Sequence, residues 1–153
     1  MAKYKPDYSA QYVIEFLRMI QHTILTHNRP VSKTNPTENM QKENRQLLVR
    51  RINRELDMVG ISPKNIGYDY LSDAILLLLE DATANVYKSI AMSYKKSDAS
   101  VERAMQNAIN RAWRHSNIEE LLSHYTARVH SEKGVPSTLE FVHYYVKKIR
   151  TNS

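Results

Sequence analysis

Residues 86–113, VYKSIAMSYKKSDASVERAMQNAINRAW, decide the reading of this chain. At about 100° per residue, the part from Asp98 onward gathers Val101, Ala104, Met105, Ala108, Ile109 and Ala112 on one side of a helix. Ala99, Arg103, Gln106, Asn110 and Arg114 fall on the opposite side, with Glu102 and Asn107 flanking them. That outward face carries Arg, Gln, Asn and Glu, the side chains that hydrogen-bond base edges in a major groove. Before it, Val86–Tyr94 suits a short helix and Lys95–Ser97 a tight connection, with Ser97 or Asp98 as the cap of the next helix. Short helix, tight turn and longer helix make the helix-turn-helix layout, whose second helix enters the major groove. A solvated helix hairpin in a bundle would also show a polar outer face, and this second reading stays open on pattern alone. Residues 84–115 hold six Lys and Arg (Lys88, Lys95, Lys96, Arg103, Arg111, Arg114) against Asp98 and Glu102. Such a surplus supplies salt-dependent attraction to phosphate.

Outward from this stretch the pattern stays helical. Ser9–His27 carries Val13, Phe16, Leu17, Ile20 and Ile24 on one face. Asn28–Gln41, with Pro30 and Pro36 and almost nothing apolar, reads as a linker. A helix is expected over Glu43–Met58 with Leu48, Ile52, Leu56 and Val59 as its stripe, ended by Gly60 and Pro63. Tyr68–Thr83 is apolar nearly all round at Ala74–Leu79 and so should be central. Ile118–Tyr125 is a short helix, and the last begins near Pro136 and runs to Arg150 with Phe141, Val142, Tyr145 and Ile149 facing inward. The expected fold is all-α and compact, with a central helix-turn-helix in residues 42–153 and an N-terminal amphipathic helix and linker in residues 1–41.

Composition narrows the function. The 153 residues carry a net charge of +6, with 42% hydrophobic and 25% charged residues, values of a globular protein rather than a disordered one. Cys is absent, which removes disulfides, thiolate nucleophiles and Cys-containing zinc sites. Three Gly and five Pro argue against a turn-rich β fold and against glycine-rich phosphate loops. Of the six His, no pair stands at i, i+4 on one helix with a carboxylate between, and no Ser/His/Asp order stands out. No enzyme, metal or cofactor is expected. The apolar run Ala74–Leu79 is too short to span a bilayer, and the first 20 residues do not read as a signal peptide, so the expected location is cytoplasmic with no membrane partner. Tyr68, Tyr70 and Tyr145 look like core and interface aromatics, and Trp113 like the anchor of the recognition helix to the core.

From Gly60 to Arg150 the chain resembles a known family. The matching runs are Gly67-Tyr68-Asp69-Tyr70-Leu71, Ser72-Asp73-Ala74-Ile75, and Ile90-Ala91. The most specific is Val101-Glu102-Arg103-Ala104-Met105 through Ala108-Ile109 to Ala112-Trp113, then Asn117-Ile118. Pro136-Ser137, Glu140-Phe141 and Lys148-Ile149-Arg150 complete it. These resemble the C-terminal effector domain of the master response regulator of sporulation initiation, the stage zero sporulation protein A family. The resemblance implies a six-helix DNA-binding domain, a TGTCGAA-like duplex box as ligand, and base reading by the pair at Glu102 and Arg103. It also implies the RNA polymerase sigma subunit as a protein partner.

Arg can clamp O6 and N7 of guanine while Glu accepts from the cytosine amine, so a CG step would satisfy both. Gln106, Ser100 and Asn110 join Glu102 and Arg103 as expected base readers. Lys88, Lys95, Lys96, Arg111, Arg114 and Lys148 are the expected phosphate contacts. Three departures stand out: Gln106 where the family has a second Arg, Met92 and Ser93 where it has Lys-Lys, and a shorter segment between Ile75 and Ile90. The box is therefore expected to be altered, with A in place of one G opposite Gln106 or with that G read less strictly.

No counterpart of the family's receiver domain is expected in the residues before the second helix, where Asp7 is the only Asp. The expectation is a transcriptional regulator not switched by aspartate phosphorylation in cis. Ser9–His27 either packs on the domain or pairs with its copy in a homodimer. Two other readings remain: a mobile-element or accessory repressor or antagonist at the same sites, and a protein-interaction module that has kept the fold.

Overall fold

The computed structural model describes residues 14–21 and 35–152. Helix α1 covers residues 14–21, and the remainder of the expected Ser9–His27 helix, with residues 28–34 of the expected linker, lies outside the described residues. Six further helices follow: α2 Pro36–Met58, α3 Ile66–Glu80, α4 Val86–Tyr94, α5 Asp98–His115, α6 Ile118–His124 and α7 Thr138–Thr151. No strand occurs among the described residues. The chain forms two compact units, Met1–Gln41 and Lys42–Ser153.

Helix α2 begins earlier than its apolar stripe predicts, so residues 36–41 are helix and not linker. Pro36 sits at the first helical position, where a missing N–H costs nothing. The carbonyl of Asn35 accepts from the N–H of Glu38 (2.8 Å) and of Asn39 (3.2 Å). Hydrophobic periodicity cannot register this exposed turn, because it buries nothing.

In the second unit α3 is the central element, touching α4, α5 and α7. Its residues Tyr70, Leu71, Ala74, Ile75, Leu76 and Leu78 are buried, as an all-round apolar helix must be. Each of the Leu and Ile side chains contributes about 1.5–3 kcal/mol by leaving water. The helix stops short of Thr83 because the Asp81 carboxylate accepts from the backbone N–H (2.9 Å) and hydroxyl (2.7 Å) of Thr83, a turn that competes with continuing the helix. Gly67, in its first turn, lies against α5. A Cβ there would overlap the carbonyl oxygen of Ala104 and stand 2.8 Å from the Ala108 methyl.

Helix α7 starts just after Pro136 with a capping box. The Ser137 hydroxyl accepts from the Glu140 N–H (3.3 Å), and the Glu140 carboxylate accepts from the Ser137 N–H (2.8 Å). The bond from the Ser137 N–H, first among the causes, holds the Glu140 carboxyl below its ordinary range. At the far end Arg150 donates to the Leu78 carbonyl (2.8 Å) in the last turn of α3, where a cation complements the helix dipole. Trp113 meets Tyr125, at the end of α6, and Phe141 of α7 edge-on, with centroids 5.2 and 6.1 Å away, and so anchors α5 to the aromatic cluster that joins α6 and α7.

Candidate nucleic-acid interface

The helix-turn-helix is built by caps. Asn85 accepts from the Lys88 N–H (3.1 Å) to open α4. Tyr94 closes it by donating to Asp73 of α3 (2.7 Å), its ring 4.7 Å from that of Tyr70. Lys95 then adopts the left-handed conformation (φ 53°, ψ 47°), and the Lys96 N–H reaches back to the Ala91 carbonyl (2.9 Å). This Schellman-type closure reverses the chain within three residues. Ser97 opens α5 by accepting from the Ser100 N–H (3.2 Å), and its hydroxyl also pairs with that of Ser100 (2.8 Å).

Val101, Met105, Ala108, Ile109 and Ala112 of α5 are buried. Ser100, Glu102, Arg103, Asn107, Arg111 and Arg114 are exposed, and so are Lys88, Lys95 and Lys96. The fold therefore gathers most of the expected readers and phosphate contacts on α5 and at the α4–α5 turn. Glu102 also acts on α4. The Tyr87 hydroxyl is raised above its ordinary range, first by burial and next by the Glu102 carboxylate, while a hydrogen bond with Thr138 works against both. Arg111 donates to the Asn65 side chain (3.1 Å) at the start of α3 and keeps its exposure.

Three expected DNA contacts, Gln106, Asn110 and Lys148, are instead engaged inside the protein. Gln106 is half-buried and turned away from the outward face: its NH2 donates to the Pro136 carbonyl and to Asn110 Oδ1 (both 3.1 Å), and its oxygen accepts twice from Thr138. Asn110, half-buried beside it, shares the same network. Lys148 donates to Glu55 (2.6 Å) and the His124 carbonyl (3.2 Å) in a partly buried junction of α7 with α2, which commits two of its three N–H donors inside the protein, away from α5. Asn107, which is not among the expected readers, stands exposed on α5. Ala104 is only half-buried, and once it is removed from the apolar set the outward face turns toward Asn107, one turn beyond Arg103.

No cluster of three metal-ligating side chains occurs among the described residues. No described helix is long and apolar enough to cross a membrane. Residues 52–149 match the family described as Sporulation initiation factor Spo0A C terminal.

Proposed function

The chain belongs to the Spo0A C-terminal family, a DNA-binding effector domain, and from that premise we propose that it is a sequence-specific transcriptional regulator that lays α5 in a major groove. Glu102 and Arg103 read a C and a G, Asn107 reads the next base along the groove, and Ser100 lies at the entry of the helix. Lys88, Lys95, Lys96, Arg111 and Arg114 hold the phosphates. The observation that carries this reading is the exposed stripe Arg103–Asn107–Arg111–Arg114 on the helix that follows the tight turn. Its residue types suit base edges and phosphates, and no exposed large apolar side chain interrupts it. Tyr87 and the α7 cap support the same helix from behind, so that the readers stand on a rigid element.

Fluorescence anisotropy with a TGTCGAA-containing duplex and a scrambled one tests the reading. The wild type should prefer the first, and Arg103→Ala should lose about 1–3 kcal/mol of that preference, roughly 5- to 150-fold, by removing a bidentate guanine contact. Equal affinity of the wild type for both duplexes would refute it. Occupancy of the same box suits an activator that engages the RNA polymerase sigma subunit and equally an antagonist that blocks it; a reporter placed downstream of the box separates the two by the sign of its response.

A further inference from the structure

Beside α5 lies a cleft of about 700 Å3, walled by Asn110, Trp113 and Arg114 on the helix and by Ser131, Lys133 and Gly134 on the loop that precedes α7. Arg114 and Lys133 bring two exposed cations to it, and none of its lining residues is Asp or Glu. The loop is fastened at both ends. At its start the Tyr144 hydroxyl accepts from the Thr126 N–H and donates to the His124 carbonyl, each at 3.1 Å. At its end Gln106 binds the Pro136 carbonyl and Thr138. Between these anchors the chain makes a tight turn: the Gly134 N–H returns to the Ser131 carbonyl (3.0 Å), the Lys133 N–H donates to the Ser131 hydroxyl (3.1 Å), and Gly134 takes a φ of 66°. Lys133 stands at the tip.

We propose that this loop is a second DNA-contact element, a clasp that sets Lys133 on a backbone phosphate of the duplex whose bases α5 reads, with Arg114 on the same stretch of backbone across the cleft. The proposal rests on α5 lying in the major groove and adds a site outside the helix-turn-helix. Backbone phosphate fits the cleft because Arg114 and Lys133 on its two walls are cationic, and the acceptors of Asn110 and Pro136 are already taken by the Gln106 amide. Gln106 is then a positioning residue, acting on DNA only through the loop it fastens.

The test is the salt dependence of binding, measured with the full chain and with Lys133→Gln, a change at an exposed turn tip that disturbs no packed side chain. Affinity for cognate and scrambled duplexes should fall by the same factor, and the slope of log K against log salt should flatten by about 0.9. Ethylation interference should lose one phosphate while the base preference stays unchanged. An unaltered slope and interference pattern, with the wild type still selecting its box and Arg103→Ala still losing it, would overturn the clasp and leave the reading of α5 standing. Absence of any duplex binding by the wild type would overturn both.

Discussion

The side-chain oxygen of Gln106 accepts two hydrogen bonds from Thr138, one from its backbone N–H at 2.9 Å and one from its hydroxyl at 3.1 Å. Its two amide hydrogens go to Asn110 and Pro136. A Gln side chain has two donors and two acceptor lone pairs, so its capacity is filled inside the protein and nothing remains for a base edge. The Thr138 N–H is the first of α7, one of the donors that a helix cannot satisfy by itself.

Gln106→Ala should therefore act on stability. It strands a buried N–H and a carbonyl, a cost of about 1–3 kcal/mol, which should appear as a lower urea midpoint at unchanged m. Gln106→Arg should be destabilised as well, since guanidinium offers no acceptor to Thr138. In a selection on randomised duplexes it should enrich the same bases as the wild type. A new G preference at unchanged stability would return Gln106 to the groove.

Asn107 is the side chain expected to change the sequence read. Asn pairs in bidentate fashion with N6 and N7 of adenine, and Asn107 stands exposed one turn beyond Arg103. Asn107→Ala should relax selection at a single position adjacent to the CG step, costing about 1–3 kcal/mol on the preferred duplex. The midpoint of unfolding should stay the same, because the side chain supports no buried contact. Selection profiles identical at every position would remove Asn107 from the readers.

The helix-turn-helix was legible in the sequence because its signals are local. Asn85 and Ser97 cap their helices with their own side chains, and the apolar period of α5 is set by residues three and four apart. The central place of α3 followed from Ala74–Leu79, since a helix without a polar face can only be inside. The errors have distant partners. Gln106 is claimed by a residue 32 positions away and Lys148 by one 93 positions away. No helical wheel contains either partner. The early start of α2 was missed for the opposite reason: it depends on Asn35 and Pro36 alone and buries no apolar side chain to mark it.

Gly67 sets the distance between α3 and the recognition helix. In an ordinary helical position Gly→Ala stabilises, by about 0.5–1 kcal/mol. Here the added methyl would meet the Ala104 backbone carbonyl, which no side-chain rotation can move aside. Gly67→Ala should reverse the usual sign and destabilise by about 1–3 kcal/mol, the cost of overpacking. Because the obstruction lies on α5, affinity for the cognate duplex should fall in the fraction that remains folded. Chemical denaturation and anisotropy on the same sample measure the two effects. A gain in stability would mean that α5 can retreat from α3 without loss.

Lys95 carries backbone strain at the point where the chain turns toward DNA. It is the only non-glycine with positive φ among the described residues, and a left-handed residue bearing a Cβ is disfavoured by roughly 1–2 kcal/mol. Gly would relieve that strain, and strained residues gather at functional sites, where selection for binding opposes selection for stability. Lys95→Gly should raise stability by up to about 1 kcal/mol while weakening cognate and scrambled duplexes alike and flattening the salt slope by about 0.9. Lys96→Ala, which leaves the left-handed position untouched, should weaken binding in the same way without the gain in stability. The two variants thus separate the backbone effect from the charge effect. Should Lys95→Gly stabilise the protein and leave the salt slope intact, Lys95 is a turn residue only, and the phosphate contacts at the turn reduce to Lys96.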